Sequence, residues 1–114
     1  MLLQLFGRLV LAKTAIIAVL ALTSAPALAE AISPDRQAGL LHLLRQDCGS
    51  CHGMTMKGGL GPGLLPVDLK DKADDVLVTI ILEGVHGKPM PPWRPLLSPT
   101  EVTWIVKKLK EGLP

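Results

Sequence analysis

Two cysteines and a histidine lie together in the short stretch DCGSCHGM, residues 47–54. Cys48 and Cys51 are the only cysteines of the chain, and His52 follows the second one directly. Two thiols about one helical turn apart can add across the two vinyl groups of a haem, and the neighbouring imidazole can then bind the iron. The spacing predicts covalent attachment of one haem c, with His52 as an axial iron ligand.

Three other chemistries use the same residue types. A structural zinc site needs four ligands, and His42 and His86 are the only further histidines. A redox-active dithiol of the thioredoxin kind usually lies in a βαβ context, and the chain has little strand pattern. A plain disulfide, or a pair of unmodified thiols, is the third alternative. The histidine directly after the second cysteine favours covalent haem.

The opposite face of the iron needs a second ligand or stays open. Methionine is the sixth ligand in electron-transfer cytochromes c. Met54 and Met56 follow His52 so closely that the chain is still on the histidine side of the ring, and we interpret them as loop packing. Met90 lies 38 residues after His52 in the stretch KPMPP, where prolines hold its backbone stiff. Met90 is therefore predicted as the sixth ligand, with His86 or an exposed-loop role for Met90 as the alternatives.

The elements that must position these residues begin after a leader. A basic start and an apolar run at residues 16–22 precede Pro26, and small residues occupy the last and third-last positions of the segment that ends at Ala29. A membrane anchor would need about 20 mostly apolar residues, and the apolar run is too short for that. We predict a signal peptide at 1–29, a single domain at 30–114, and export to the periplasm.

Removal of the leader leaves a chain with no net charge. Two of the 12 Lys and Arg residues lie in the leader and all 10 Asp and Glu residues follow it, so residues 30–114 carry ten charges of each sign. No basic block with interleaved aromatic residues remains, so no nucleic-acid partner is expected. No membrane association is expected after the leader is cleaved.

Two of the three predicted helices carry clear start signals. Ser33 is a good N-cap, Pro34 suits the first helical position, and leucines continue at helical spacing to about Gln46, which leads the chain to Cys48. The last helix begins with the capping box of the stretch SPTE at residues 98–101. Its apolar residues at helical spacing continue until Gly112.

The apolar run at residues 76–82 is ambiguous, because it could also form a buried strand. Acidic residues before it and Gly84 after it favour a helix. The segments 53–66 and 83–97 are rich in glycine and proline, and long ordered loops in so small a domain are unusual unless they line a site. We predict an all-α fold of three or more helices, with long loops wrapped around one covalent haem.

The succession of CGSCH, GLGP, PMPPW and a capped C-terminal helix resembles the class I monohaem cytochromes c over essentially all of residues 30–114. That resemblance implies that the carbonyl of Pro62 accepts a hydrogen bond from the ring nitrogen of His52 that faces away from the iron. It also implies that the first and last helices cross. The residues expected to meet at the crossing are Leu41, Leu44, Trp104 and Val106.

A narrower resemblance rests on the pattern M-x-x-K-G-G-L-G-P from Met54, then ILEG at 81–84, and PMPPWRP at 89–95. These stretches are similar to the small periplasmic cytochromes encoded with the haem d1 nitrite reductase of denitrifying bacteria, the NirC-like proteins. The resemblance implies an association with maturation of the haem d1 of that reductase. The expected partner is a redox protein, such as the reductase itself or its maturation factors.

Outer-sphere electron transfer is the activity that these features imply. With His52 and Met90 both bound, the iron has no open site for a substrate, so we expect an electron-transfer protein and not an enzyme. Trp93 and Arg94 are predicted to donate hydrogen bonds to the haem propionates, with loop packing and a solvated charge as the alternatives. A general respiratory carrier, a peroxidase-like haem protein and a haem-binding assembly factor are the alternative functions.

Overall fold

The structure is a computed structural model that describes residues 31–114. The predicted signal peptide at 1–29 and the domain boundary at residue 30 lie outside the described residues. All regular elements of the described part are helices. None of these helices is long and apolar enough to cross a membrane. The prediction of an all-α fold is confirmed.

The first helical run carries the cysteine motif at its C-terminal end. Helix α1 spans Pro34–Leu43, a π-helical stretch follows at Leu44–Cys48, and helix α2 spans Gly49–His52. The predicted start is confirmed, because the Ser33 hydroxyl accepts a hydrogen bond from the backbone of residue 36 at 3.3 Å. The predicted end near residue 46 is wrong. The apolar periodicity stops there, but no residue breaks the helical backbone before Gly53, whose φ is 89°.

Two helices lie between the motif and the C-terminal helix. Helix α3, Pro66–Leu69, is a short turn that the glycine-rich sequence before it conceals. Helix α4, Asp74–Glu83, has two aspartates in its first turn and ends at Gly84, whose φ is 70°. The interpretation of residues 76–82 as part of a helix is therefore confirmed, and the strand alternative is wrong.

The last helix, α5, spans Pro99–Glu111 and begins with the predicted capping box. The Ser98 hydroxyl accepts from the Glu101 backbone N–H at 3.2 Å, and the Glu101 carboxylate accepts from the Ser98 N–H at 2.8 Å. Gly112 follows with a φ of 91°. Two of the N–H groups that an α-helix leaves unpaired at its start are thereby satisfied.

The core joins the first helical run to α5. Leu40 and Leu44 are fully buried in it, together with four apolar residues from one face of α5. Those four are Val102, Ile105, Val106 and Leu109. Leu41 and Trp104 pack against the same cluster, so all four residues expected at the helix crossing belong to it. An ion pair between Arg36 and Glu101 also joins the two helices at their N-terminal ends.

Candidate functional site

The cysteine motif is held on helical backbone. Cys48 ends the π-helical stretch, and Cys51 and His52 lie in α2. Both thiols are free and half-buried. Burial, with a smaller contribution from the nearby Asp47 carboxylate, raises the pKa of Cys48 to about 11. Because the thiolate is the nucleophile in thiol exchange, Cys48 is poorly suited to the redox-active dithiol chemistry considered above.

The imidazole of His52 is fixed by one backbone hydrogen bond. Its Nδ1 lies 2.7 Å from the carbonyl oxygen of Pro62. A carbonyl oxygen only accepts hydrogen bonds, so Nδ1 carries a proton, and in the neutral ring Nε2 is the nitrogen that keeps its lone pair. This is the neutral tautomer in which a histidine binds a metal through Nε2, with its other nitrogen bonded to a backbone carbonyl.

We call residues 53–64 the histidine loop, because its backbone lies directly against the His52 ring. A Cβ atom added to Gly61 would lie 2.7 Å from Cε1 and 2.8 Å from Nδ1 of His52. The loop is tied to the end of α2 by two hydrogen bonds, from the Gly61 N–H to the Cys51 carbonyl and from the Gly58 N–H to the His52 carbonyl, both 2.8 Å. These bonds satisfy carbonyls that the helix end leaves unpaired.

The two methionines of the histidine loop have different environments. Met56 is 5% exposed and adopts a φ of 59°, and its carbonyl accepts from the Leu64 N–H at 2.8 Å. Met54 is 61% exposed. The interpretation of both residues as loop packing fits Met56. Met54 is largely exposed, but its sulfur lies beside the motif helix, 3.3 Å from a Cβ atom added to Gly49.

We call residues 84–94 the methionine segment. Met90 is half-buried in it, and its carbonyl accepts from the Val85 N–H at 3.1 Å. Between them, the Lys88 N–H donates to the Val85 carbonyl at 3.1 Å and closes a tight turn. His86 lies in that turn and is exposed. The turn therefore brings the chain back so that Met90 lies beside the end of α4.

The far end of the methionine segment is also attached to α4. The N–H groups of Trp93 and Arg94 donate to the carbonyls of Ile81 and Leu82, at 3.1 and 3.2 Å. Trp93 packs against the core cluster. The guanidinium of Arg94 donates to the carboxylate of Glu83 through both Nε and Nη2. Propionate binding by Trp93 and Arg94 stays a prediction, and the structure adds Glu83 as a protein partner for the arginine.

Some of the predicted site residues come together and others do not. Cys48, Cys51, His52 and Pro62 are joined by helix α2 and the histidine loop. Within residues 31–114, no hydrogen bond or ion pair links this group to the methionine segment. The same part of the chain contains no group of three or more His, Cys, Asp or Glu side chains that could hold a metal ion, so the zinc alternative lacks a ligand set.

The residues present fit a covalently bound haem. The donor set consists of two unpaired thiols on one helix end and an imidazole whose Nδ1 is bonded to Pro62, so that Nε2 is the nitrogen available for iron. Sequence reasoning missed two glycines that belong to this arrangement. Gly61 lies against the His52 ring and Gly84 against the backbone of Met90. Both glycines could have been found from the sequence, because each lies beside or near prolines in a stretch that carries a predicted site residue.

Comparison of the sequence with known proteins finds one matching family model and similar cytochromes. Residues 36–107 match the family model described as cytochrome c oxidase, cbb3-type, subunit III. The chain is similar to cytochrome c55X of Pseudomonas aeruginosa, at 53% identity over 77 residues. These residues are 68% of this chain and 65% of the relative, so the chain spans somewhat less than two thirds of the relative's length. Cytochrome c55X of Stutzerimonas stutzeri is 48% identical over 88 residues, which is 77% of this chain and 78% of the relative.

A solved structure is similar over most of the described residues. The structure named c-type cytochrome NirC is 51% identical and superposes with a TM-score of 0.69, covering 71% of this chain and 95% of that one. The match thus includes nearly the whole of the solved chain.

Proposed function

This chain belongs to the family of c-type cytochromes, and we propose that it is a periplasmic electron carrier with one covalent haem c that serves the nitrite reductase of denitrification. Its all-α fold is that of a cytochrome c, and it is an electron-transfer protein rather than an enzyme. What we propose is the set of residues that hold the haem, the partner protein and the periplasmic location.

The hydrogen bond from His52 Nδ1 to Pro62 is the observation that carries the proposal. At 2.7 Å it holds the ring in the tautomer that leaves Nε2 for the iron. Cys48 and Cys51 would hold the haem by thioether bonds, and His52 would bind the iron on one face. When bound, the haem supplies a one-electron Fe(III)/Fe(II) couple. The protein's part is to orient the ligands and to limit the access of water.

Met90 is the residue proposed to bind the other face of the iron. It is half-buried in a segment whose far end is hydrogen-bonded to α4, and its own carbonyl accepts a hydrogen bond from the Val85 N–H. Methionine as a sixth ligand raises the reduction potential, and a filled sixth position suits electron transfer rather than peroxidase chemistry. The exposed His86 lies on the turn of the same segment, which makes it the less suitable ligand.

The ferric absorption spectrum of the holoprotein tests the ligand set. We expect a low-spin spectrum with a sulfur-to-iron charge-transfer band that disappears in Met90→Ala and persists in the matched control Met54→Ala. The control removes an exposed methionine. A high-spin ferric spectrum in the wild-type protein would overturn the carrier proposal in favour of a peroxidase-like protein.

The link to denitrification is supported by two observations. The solved structure at 51% identity carries the name NirC, and the stretches around Met54 and Met90 resemble the NirC-like proteins. In a deletion strain we expect slower nitrite reduction and a reductase with less haem d1, both restored by the wild-type gene and not by the Cys48→Ser/Cys51→Ser variant. A deletion strain with a fully loaded, fully active reductase would leave only the general respiratory role.

Export is tested separately. We expect the haem-bearing protein in the periplasmic fraction, with Glu30 as its first residue. The same protein in the cytoplasmic fraction, with residues 1–29 retained, would refute the predicted cleavage.

A further inference from the structure

Residues 90–94 of the methionine segment are hydrogen-bonded to the chain on both sides of one glycine. The Met90 carbonyl accepts from the Val85 N–H, and the N–H groups of Trp93 and Arg94 donate to the carbonyls of Ile81 and Leu82. Gly84 lies between these attachment points in the sequence. The segment thus runs back across the residue that ends the helix.

Gly84 makes the closest approach in this arrangement. A Cβ atom at this position would lie 2.7 Å from the Met90 carbonyl oxygen, from the Pro91 carbonyl carbon and from the Pro92 nitrogen. All three are backbone atoms, so no side-chain rotation could relieve the contact. Proline fixes φ at two successive positions, so the segment cannot easily bend away. A methyl group at residue 84 would have to push the Met90 backbone by about 0.7 Å to reach ordinary contact distance.

We propose that Gly84 is a positioning residue for Met90, because its missing side chain lets the backbone of the methionine segment lie where the Met90 sulfur can serve as the sixth ligand. The inference rests on the proposed role of Met90 as an axial ligand. Since methionine ligation raises the reduction potential, a displaced Met90 should lower that potential and open the sixth position to small ligands.

The chain offers a matched control three residues away. Gly87 has a φ of 71°, almost the same as the 70° of Gly84, and a Cβ atom added there would meet nothing within 4 Å. A non-glycine residue strains the backbone at either position. Comparison of Gly84→Ala with Gly87→Ala therefore separates the contact with Met90 from the strain of a positive φ, which both positions share.

The experiment uses haem-loaded protein expressed from the full-length gene. For wild type, Gly84→Ala, Gly87→Ala and Met90→Ala, three quantities are measured: the sulfur-to-iron band, the reduction potential and the affinity of the ferric protein for imidazole. We expect Gly84→Ala to weaken the band, lower the potential and bind imidazole about tenfold more tightly. Gly87→Ala should change each of the three by much less.

Equal values for Gly84→Ala and Gly87→Ala would overturn the inference, provided that wild type shows the band and Met90→Ala loses it. If wild type lacks the band, the proposed ligand itself fails, which is a separate result. Should Gly84→Ala accumulate no holoprotein, Gly84→Ala/Pro92→Gly replaces it, since glycine lets the segment yield to the methyl group. That double variant should bind imidazole more tightly than Pro92→Gly alone, and equal affinities would overturn the inference.

Discussion

The histidine loop and the methionine segment each position one proposed iron ligand, but the ligands lie in different parts of the chain. His52 lies at the end of helix α2, and the histidine loop that follows is bonded back to that helix end through the carbonyls of Cys51 and His52. Met90 lies within the methionine segment itself, which follows α4 and is bonded back to its last turn through the carbonyls of Ile81 and Leu82. One ligand is thus held on helical backbone, and the other in a loop that docks on the end of the helix before it.

This difference determines where each side of the site is vulnerable. His52 lies on helical backbone, so its side should open only when helix α2 and the histidine loop unfold together. Met90 has no helical backbone of its own, and a loop held by a few hydrogen bonds to a helix end can open at low free energy. Each region nevertheless depends on a glycine that allows a close approach. Gly61 lies against the His52 ring, and Gly84 lies against the Met90 backbone.

The largest effect should come from a methyl group under the histidine ring. In Gly61→Ala the added Cβ would lie 2.7 Å from Cε1 and 2.8 Å from Nδ1 of His52, so the ring must leave its hydrogen bond to Pro62. We expect most of the haem-loaded protein to be lost, as measured by haem absorbance per mole of purified chain.

Gly39→Ala is the control for this variant, because a Cβ atom at Gly39 meets nothing within 4 Å. Alanine in place of this helical glycine should give normal loading and raise the free energy of unfolding by about 0.5–1 kcal/mol. Normal haem content and a wild-type spectrum in Gly61→Ala would contradict the view that this glycine determines the position of the ring.

The next effect concerns the turn that separates the motif helix from its loop. Gly53 has a φ of 89°, and a Cβ atom there would lie 2.6 Å from the Gly58 carbonyl oxygen. Gly53→Ala combines backbone strain with a backbone clash and should lower the free energy of unfolding by about 2 kcal/mol or more. Denaturant unfolding of the holoprotein measures this.

Gly87→Ala is again the matched variant, since it has the strain without the clash, and it should cost only about 1 kcal/mol. The two variants compare the two regions directly, one glycine in each. Equal losses would mean that the histidine loop is not the more tightly built of the two.

Three of the helix ends could be predicted from the sequence, because the hydrogen bonds of a helix cap involve residues only three or four positions apart. Ser33, Ser98 and Gly112 each mark an end where the structure has one. The extension of the first helical run to His52 could not be predicted. It depends on a π-helical stretch whose hydrogen bonds span an extra residue, and it continues past residue 46, where the apolar pattern of the sequence stops.

The chemistry of the site could be predicted in part. The spacing of the cysteines and the histidine identifies the haem motif without any structure, and the prolines around Met90 mark a stiff segment. The bond from His52 to Pro62 was expected only from a family resemblance. The contacts of Gly84 and the ion pair of Arg94 were not expected at all, since they exist only after α4 and the methionine segment have come together.

A smaller effect on stability is expected at the ion pair between Arg36 of α1 and Glu101 of α5. The hydrogen bond from Arg36, followed by bonds from Ser98, lowers the pKa of Glu101 from 4.5 to about 2. A carboxylate whose pKa is lowered by folding stabilises the folded state above its unfolded pKa, and this contribution is lost as the pH falls toward the folded pKa. Glu101→Gln keeps the capping box and removes the charge.

We expect Glu101→Gln to be less stable than wild type by about 1 kcal/mol at pH 7, because the ion pair is partly exposed. The difference should shrink between pH 4.5 and pH 2, and both ligand regions should be weakened together. Denaturant unfolding at a series of pH values checks this. A difference that does not depend on pH would show that the charge of Glu101, and with it the pair with Arg36, contributes nothing.

The smallest expected effect is confined to the methionine segment. Glu83 and Arg94 pair on its outer side, and both side chains are about half exposed, so Arg94→Gln should cost only about 0.5 kcal/mol in the free energy of unfolding. The pair nevertheless joins the last residue of α4 to the far end of the segment. Its loss should therefore make the sulfur-to-iron band disappear at a lower denaturant concentration, while the His52 side keeps its wild-type midpoint.

Glu83→Gln should do the same, and the double variant should add nothing further, because the two side chains act as one pair. A parallel shift of both transitions would mean that the two regions unfold as a unit, and the distinction between a ligand on a helix and a ligand in a loop would then fail.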